Sequence, residues 1–108
     1  MEILDEKVHL WLESARFVKA KSGVYVLYDK KLEVIFIGAS ENLQNEFAKY
    51  VDTNFENNPC KQKTHAYQRT FMTNPQEKKI QLLDEYQKKH GNIPCCNLDI
   101  DSIIVSKH

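Results

Sequence analysis

The sequence has no net charge: fifteen Lys and Arg are balanced by fifteen Asp and Glu. Nucleic-acid binding rests largely on Lys and Arg neutralising phosphates, so composition alone gives no support for a polyanionic partner. Clusters at Lys30-Lys31, Lys61 to Lys63, Lys78-Lys79 and Lys88-Lys89 are of the kind usually found on solvated surface. Long apolar runs are missing too. Val24 to Tyr28 and Val34 to Ile37 fall far short of the ~20 residues that cross a bilayer, so no membrane association is expected. Met1 to Asp5 carry two acids and no cationic n-region, unlike a secretory signal. Cysteines are few and odd in number, Cys60, Cys95 and Cys96, the last two adjacent. That pattern is not a disulfide framework and agrees with a reducing, cytoplasmic compartment. Internal repeats, linkers and low-complexity segments are absent. A chain of 108 residues, 42% hydrophobic, suits one soluble domain spanning 1–108 with one modest core.

Periodicity supplies the elements. Glu6 to Phe17 places Leu10, Trp11, Leu12 and Phe17 at spacings consistent with a first amphipathic helix. After Ser22-Gly23, Val24 to Tyr28 and Glu33 to Ile37 read as a hairpin around Asp29-Lys30-Lys31, closed by Gly38. Ser40 is placed to cap a helix with Leu43, Phe47, Tyr50 and Val51 on one face. Thr53 to Lys63 is the main loop, and His65 to Met72 alternates as a third strand. Asn74-Pro75-Gln76-Glu77 combines an N-cap, a first-turn proline and a capping-box acid. Ile80, Leu82, Leu83 and Tyr86 form the stripe of that helix, which Gly91 and Pro94 stop; Ile100 to Val105 reads as a short last strand. The expected class is α+β, with helices on a small, mostly antiparallel sheet.

Two linked segments carry a resemblance. Ser22-Gly23-Val24-Tyr25, followed by Phe36-Ile37-Gly38-Ala39-Ser40-Glu41-Asn42-Leu43, resembles the paired signature of the GIY-YIG nucleases. Leu82-Leu83-Asp84-Glu85, leading through Pro94 to Asn97, is similar to the Glu-Pro-Asn spacing in the incision subunit of bacterial nucleotide-excision repair. Members of the family hydrolyse phosphodiesters with one divalent metal. The resemblance implies Mg²⁺ on Glu85, a hard carboxylate ligand, Tyr25 beside the attacking water, and Asn97 fixing local geometry. Gly38 would allow close backbone approach.

Two positions depart from the family pattern. Phe36 keeps the ring of the second signature tyrosine and lacks its hydroxyl. Glu46 stands where the resemblance implies an arginine that stabilises charge on the phosphate, and losing one such donor typically costs ~2.7–4 kcal/mol of barrier. Lys49, on the same helical face, restores a cation without the bidentate fork of arginine. Each position also has a plainer role. Tyr25 and Phe36 suit a strand core, Glu46 a surface acid paired with Lys49, Glu85 a solvated flank, and Asn97 a turn after Pro94. Cys60, His65, His90, Cys95 and Cys96 include zinc-ligand types but no CxxC pair, so free, partly buried thiols are expected rather than zinc.

Three functions follow. The adopted expectation is a GIY-YIG-like domain, nucleic-acid-associated, with weak or lost endonuclease activity. The alternatives are an active metal-dependent endonuclease and a protein-interaction module on the same scaffold.

Overall fold

The computed structural model describes residues 3–97. Its centre is the strand β2 (Gly23–Tyr28), all six residues of which are buried, as a run of Val, Tyr and Leu favours. A hairpin returns it as β3 (Val34–Ser40). Asp29 builds the turn: its carboxylate accepts the backbone N–H groups of Lys31 (2.9 Å) and Glu33 (3.0 Å), a local bonding habit of Asp at turns. Gly38 does not end β3, which pairs with β2 from Val34 through Ser40. On the other side of β2 lies β4 (Ala66–Phe71), antiparallel. The two-residue β1 (His9–Leu10) extends the sheet beyond it, giving the order β1-β4-β2-β3.

Alternation along β2 sends side chains to two faces. Tyr25 and Leu27, with Phe36 and Tyr67 from the neighbouring strands, meet Trp11, Phe47, Tyr50 and Phe55 in an aromatic core. Phe47, Tyr50 and Leu43 are the buried stripe of α2 (Leu43–Thr53). Val24, Val26, Tyr28, Ile37 and Ala66 face the opposite way and meet Leu82 of α3 (Pro75–His90). Buried Gln68 on this second face accepts from the Leu4 N–H and donates to the carbonyls of Leu4 and Glu6, holding the N-terminal segment against the sheet.

Several local expectations are corrected. Glu6 to Phe17 is not one helix: β1 passes into a single turn, α1 (Trp11–Ser14), and then a 3-10 turn at Ala15–Phe17. Only Trp11 and Ala15 of these two turns are buried, while Leu12 and Phe17 are 95% and 79% exposed. The apolar residues lack a common face, and the pairing of His9 and Leu10 with β4 wins over helix extension. Asn42, not Ser40, caps α2, its side chain accepting the Asn45 N–H at 3.1 Å. Ser40 instead exchanges hydrogen bonds with the backbone of Asn42. The loop after α2 contains two 3-10 turns, and four successive residues, Asn54 to Asn57, have positive φ. Such a conformation costs roughly 1–2 kcal/mol for each ordinary residue; burying Phe55 against Trp11 and Tyr50 offsets part of it. Asn74 precedes α3 as expected but lies at φ 55 with no side-chain cap, so Pro75 marks the start alone. Ile80 is exposed and outside the buried stripe. Gly91, at φ 86, ends α3 as expected. Ile100 to Val105 lies outside the described residues, and no helix among those described is long and apolar enough to cross a membrane.

Candidate active site

Tyr25 lies on β2 beside Gly38 on β3. The missing side chain of Gly38 makes room for the phenol. A Cβ at position 38 would lie 2.6 Å from the Tyr25 hydroxyl and 2.7 Å from Cε2 of Phe36. Tyr25 therefore reaches across the hairpin under α2. Its hydroxyl donates to Oε2 of Glu46 (2.8 Å) and lies 2.8 Å from the hydroxyl of Tyr50, one helical turn after Glu46. Lys61, carried in by the 3-10 turn Lys61–Lys63, donates from Nζ to the Tyr50 hydroxyl at 3.0 Å. With the Tyr25 O–H aimed at Glu46, the Tyr50 O–H has Tyr25 at 2.8 Å and Glu46 Oε2 at 3.4 Å as acceptors, and the shorter contact is the better bond. The result is one directional chain, Lys61 to Tyr50 to Tyr25 to Glu46, with an ammonium at one end and a carboxylate at the other.

Burial sets the electrostatics of that chain. Lys61 is only 5% exposed, and its ammonium lies over the Phe36 ring at 4.2 Å from the centroid and over Tyr50 at 4.8 Å, a cation–π arrangement. Desolvation lowers the Lys61 pKa, with Glu56 and Glu46 opposing it. Desolvation also holds Tyr25 well above the usual phenol range, and Tyr50 and the Glu46 charge add to this. Tyr50 is raised too, chiefly by burial. Both phenols are therefore neutral donors at physiological pH. At the rim, half-exposed Lys49 pairs with Glu46 (3.5 Å) and Glu56 (3.8 Å).

No family model matches the sequence, and no curated protein does. Solved structures do match. The GIY-YIG N-terminal endonuclease domain of UvrC from Thermotoga maritima, bound to magnesium as its catalytic divalent cation, superposes with a TM-score of 0.58 at 20% identity, covering 80% of this chain and 93% of that one. Point mutants of the same domain give 0.58 at 21% identity (a Tyr→Phe change, 80% and 93% covered) and 0.57 at 18% (an Asn→Ala change, 80% and 92%). The chain has a GIY-YIG-like fold.

Within this GIY-YIG-like fold the expected site residues divide into two groups. Tyr25, Phe36, Glu46 and Lys49 gather on the α2 face, and Phe36 packs 5.9 Å from Tyr25. Asn97 is buried and bidentate on the edge strand: its Oδ1 accepts the Ile37 N–H and its Nδ2 donates to the Ile37 carbonyl, both at 2.9 Å. Glu85 is exposed on α3, and its hydrogen-bond partner is Gln81 Nε2 at 3.4 Å. Two members of the tyrosine network were missed. In the sequence Tyr50 stands on an apolar face, although its spacing of four from Glu46 is a usable signal. Lys61 sits in a lysine cluster of the surface type; no local pattern marks it, because its burial depends on how the loop folds.

The cysteine expectation is also corrected. Cys60 and Cys96 form a disulfide, and the remaining thiol, Cys95, is exposed rather than partly buried. Sequence separation hid the pair, which chain folding brings together. His65 and His90 do not join the sulfurs among the described residues; the His90 ring lies tilted against Tyr86, centroids 4.3 Å apart.

The Gly38 contact is directly testable. Gly38→Ala is expected to cost ~1–3 kcal/mol of stability through overpacking against Tyr25 and Phe36, read as a lower urea midpoint at unchanged m-value. An unshifted midpoint would mean that Tyr25 does not lie against residue 38.

Proposed function

We propose that this chain is a nucleic-acid-associated GIY-YIG-like domain whose endonuclease activity is weak or lost. The observation that carries this reading is the closed chain from Lys61 to Glu46. A base must have a proton acceptor to offer, yet both phenol protons are committed and burial opposes loss of either. Phosphate charge developing in a transition state needs cationic donors, whereas Glu46 presents a carboxylate and the Lys61 ammonium is bound to Tyr50. Phe36 contributes no hydroxyl.

The solved relatives hold a catalytic divalent cation, and the fit of this chain to such an ion differs between its two carboxylates. Glu46 does not suit it: that carboxylate already accepts from Tyr25 and pairs with Lys49. Glu85 suits it better, being exposed with one long contact to Gln81, and Mg²⁺ is often held by one or two carboxylates with several waters retained. Glu85 would hold the ion, which when bound supplies Lewis-acid polarisation and a more acidic water.

Nucleic acid as partner is supported by the description of the solved relatives as endonuclease domains. Fluorescence anisotropy with labelled duplex DNA tests it. Expected is non-specific binding in the ~10⁻⁴–10⁻⁶ M range that weakens steeply with salt and is indifferent to EDTA. Failure to bind DNA at low salt would sink the proposal. It would favour the second reading, a protein-docking module, for which the exposure of Leu12 and Phe17 speaks.

A further inference from the structure

The sulfurs of Cys60, Cys95 and Cys96 all lie within 4.8 Å of one another. They come from two distant segments. Cys60 precedes the turn that carries Lys61, and Cys95 and Cys96 open a helical turn after Pro94. Both segments are braced by bonds other than the disulfide. The Asn58 side chain accepts the N–H groups of Cys60 (2.9 Å) and Lys61 (3.2 Å), while Asn97 is pinned to Ile37 on β3. The proximity of the three sulfurs therefore has support that does not depend on the covalent link.

We propose that, once the Cys60–Cys96 bond is reduced, the three cysteines form a thiolate site for a soft divalent cation of the Zn²⁺ type. Zinc binds thiolate at about 2.3 Å in tetrahedral geometry, which sets the sulfur–sulfur edges at ~3.8 Å. Cys60 and Cys95 already stand 3.8 Å apart. Cys60 and Cys96, released from a bond of about 2.05 Å, need to separate by roughly 2 Å. Cys96 is fully buried, Cys60 half-buried and Cys95 exposed, so the ion would enter from the Cys95 side and keep its fourth position open to water. Sequence spacing disfavours such a site because its rules look for local pairs, whereas here the third sulfur arrives from 35 residues away. Metal-bound or disulfide-closed, the cluster ties the segment bearing Lys61 to the one bearing Asn97.

The reaction balances with a water-soluble phosphine as reductant. The phosphine is oxidised to its oxide with one water, the S–S bond takes two electrons and two protons, and metal binding then displaces protons from the three thiols. The test uses the full chain reduced anaerobically and titrated with Zn²⁺ against a chromophoric chelator, with Co²⁺ as spectroscopic probe. Expected are one Zn²⁺ per reduced chain, thiolate-to-cobalt charge-transfer absorption, no uptake by the oxidised chain, and at least tenfold weaker binding in Cys95→Ser. That variant replaces an exposed side chain and leaves the Cys60–Cys96 pair intact, so misfolding does not blur it; Cys60→Ser should lose binding as well. No uptake by the reduced protein, equal uptake by Cys95→Ser, or cobalt binding without charge transfer would each overturn the proposal.

Discussion

Combining Phe36→Tyr, Glu46→Arg and Lys61→Gln in one chain is expected to produce metal-dependent nicking of plasmid DNA where the parent protein gives none above background. Each change answers a feature of the Lys61–Glu46 chain. Arginine at position 46 removes a negative charge and supplies a donor, and one such donor is typically worth 10²–10³ in rate, ~2.7–4 kcal/mol. On its own, however, it would set a second cation beside the buried Lys61 ammonium. Like charges in a buried, weakly screened site repel, which offsets part of the benefit. Lys61→Gln removes that charge while keeping a donor for Tyr50. Phe36→Tyr returns a single neutral hydroxyl and should matter least. Adding Glu85→Ala should abolish the nicking, which also guards against a contaminating nuclease. Robust cleavage by the parent, lost in Glu85→Ala, would show that the site is not silenced. A folded, DNA-binding triple variant that still fails to cleave would mean that these three residues are not what silences it.

Phe47→Ala should have the largest effect on stability, a loss of ~3–5 kcal/mol, against ~5–15 kcal/mol for a typical whole domain. Phe47 is completely buried, and its ring packs against Trp11, Tyr25 and Tyr67 with centroids 4.9, 5.3 and 5.1 Å away. Truncation leaves a cavity among rigid aromatic rings that cannot collapse to fill it. Leu12→Ala, at a 95% exposed position, should change stability by no more than ~0.5 kcal/mol. Equilibrium urea unfolding of both variants measures the contrast. A large loss at Leu12 would restore the longer amphipathic helix over Glu6 to Phe17.

Those two positions show how legible the fold was. Val24 to Tyr28, the face of α2 with Leu43, Phe47 and Tyr50, and the stop at Gly91 were readable because each obeys a short-range rule: a run of β-branched and aromatic residues, a 3.6-residue stripe, or a positive φ taken by glycine. The first helix failed because its apolar residues carried no single period, and pairing with β4 decided their conformation. Capping failed at Ser40 and Asn74 because several polar residues stood within reach of each helix start, and backbone dihedrals chose among them.

The candidate site divides along the same line. Sequence alone determined the α+β class and the linked segments around Tyr25 and Phe36. It also determined the two chemical departures, a missing hydroxyl at Phe36 and a carboxylate at Glu46, since these depend only on residue type. Tertiary structure alone decided that Lys61 is buried and bonded to Tyr50, that Asn97 is pinned to Ile37, and that Cys60 meets Cys95 and Cys96. Each of these is a contact between segments distant in the chain. Burial and charge at such points follow from how the loop after α2 and the turn after α3 close on the sheet, and no local periodicity carries that information.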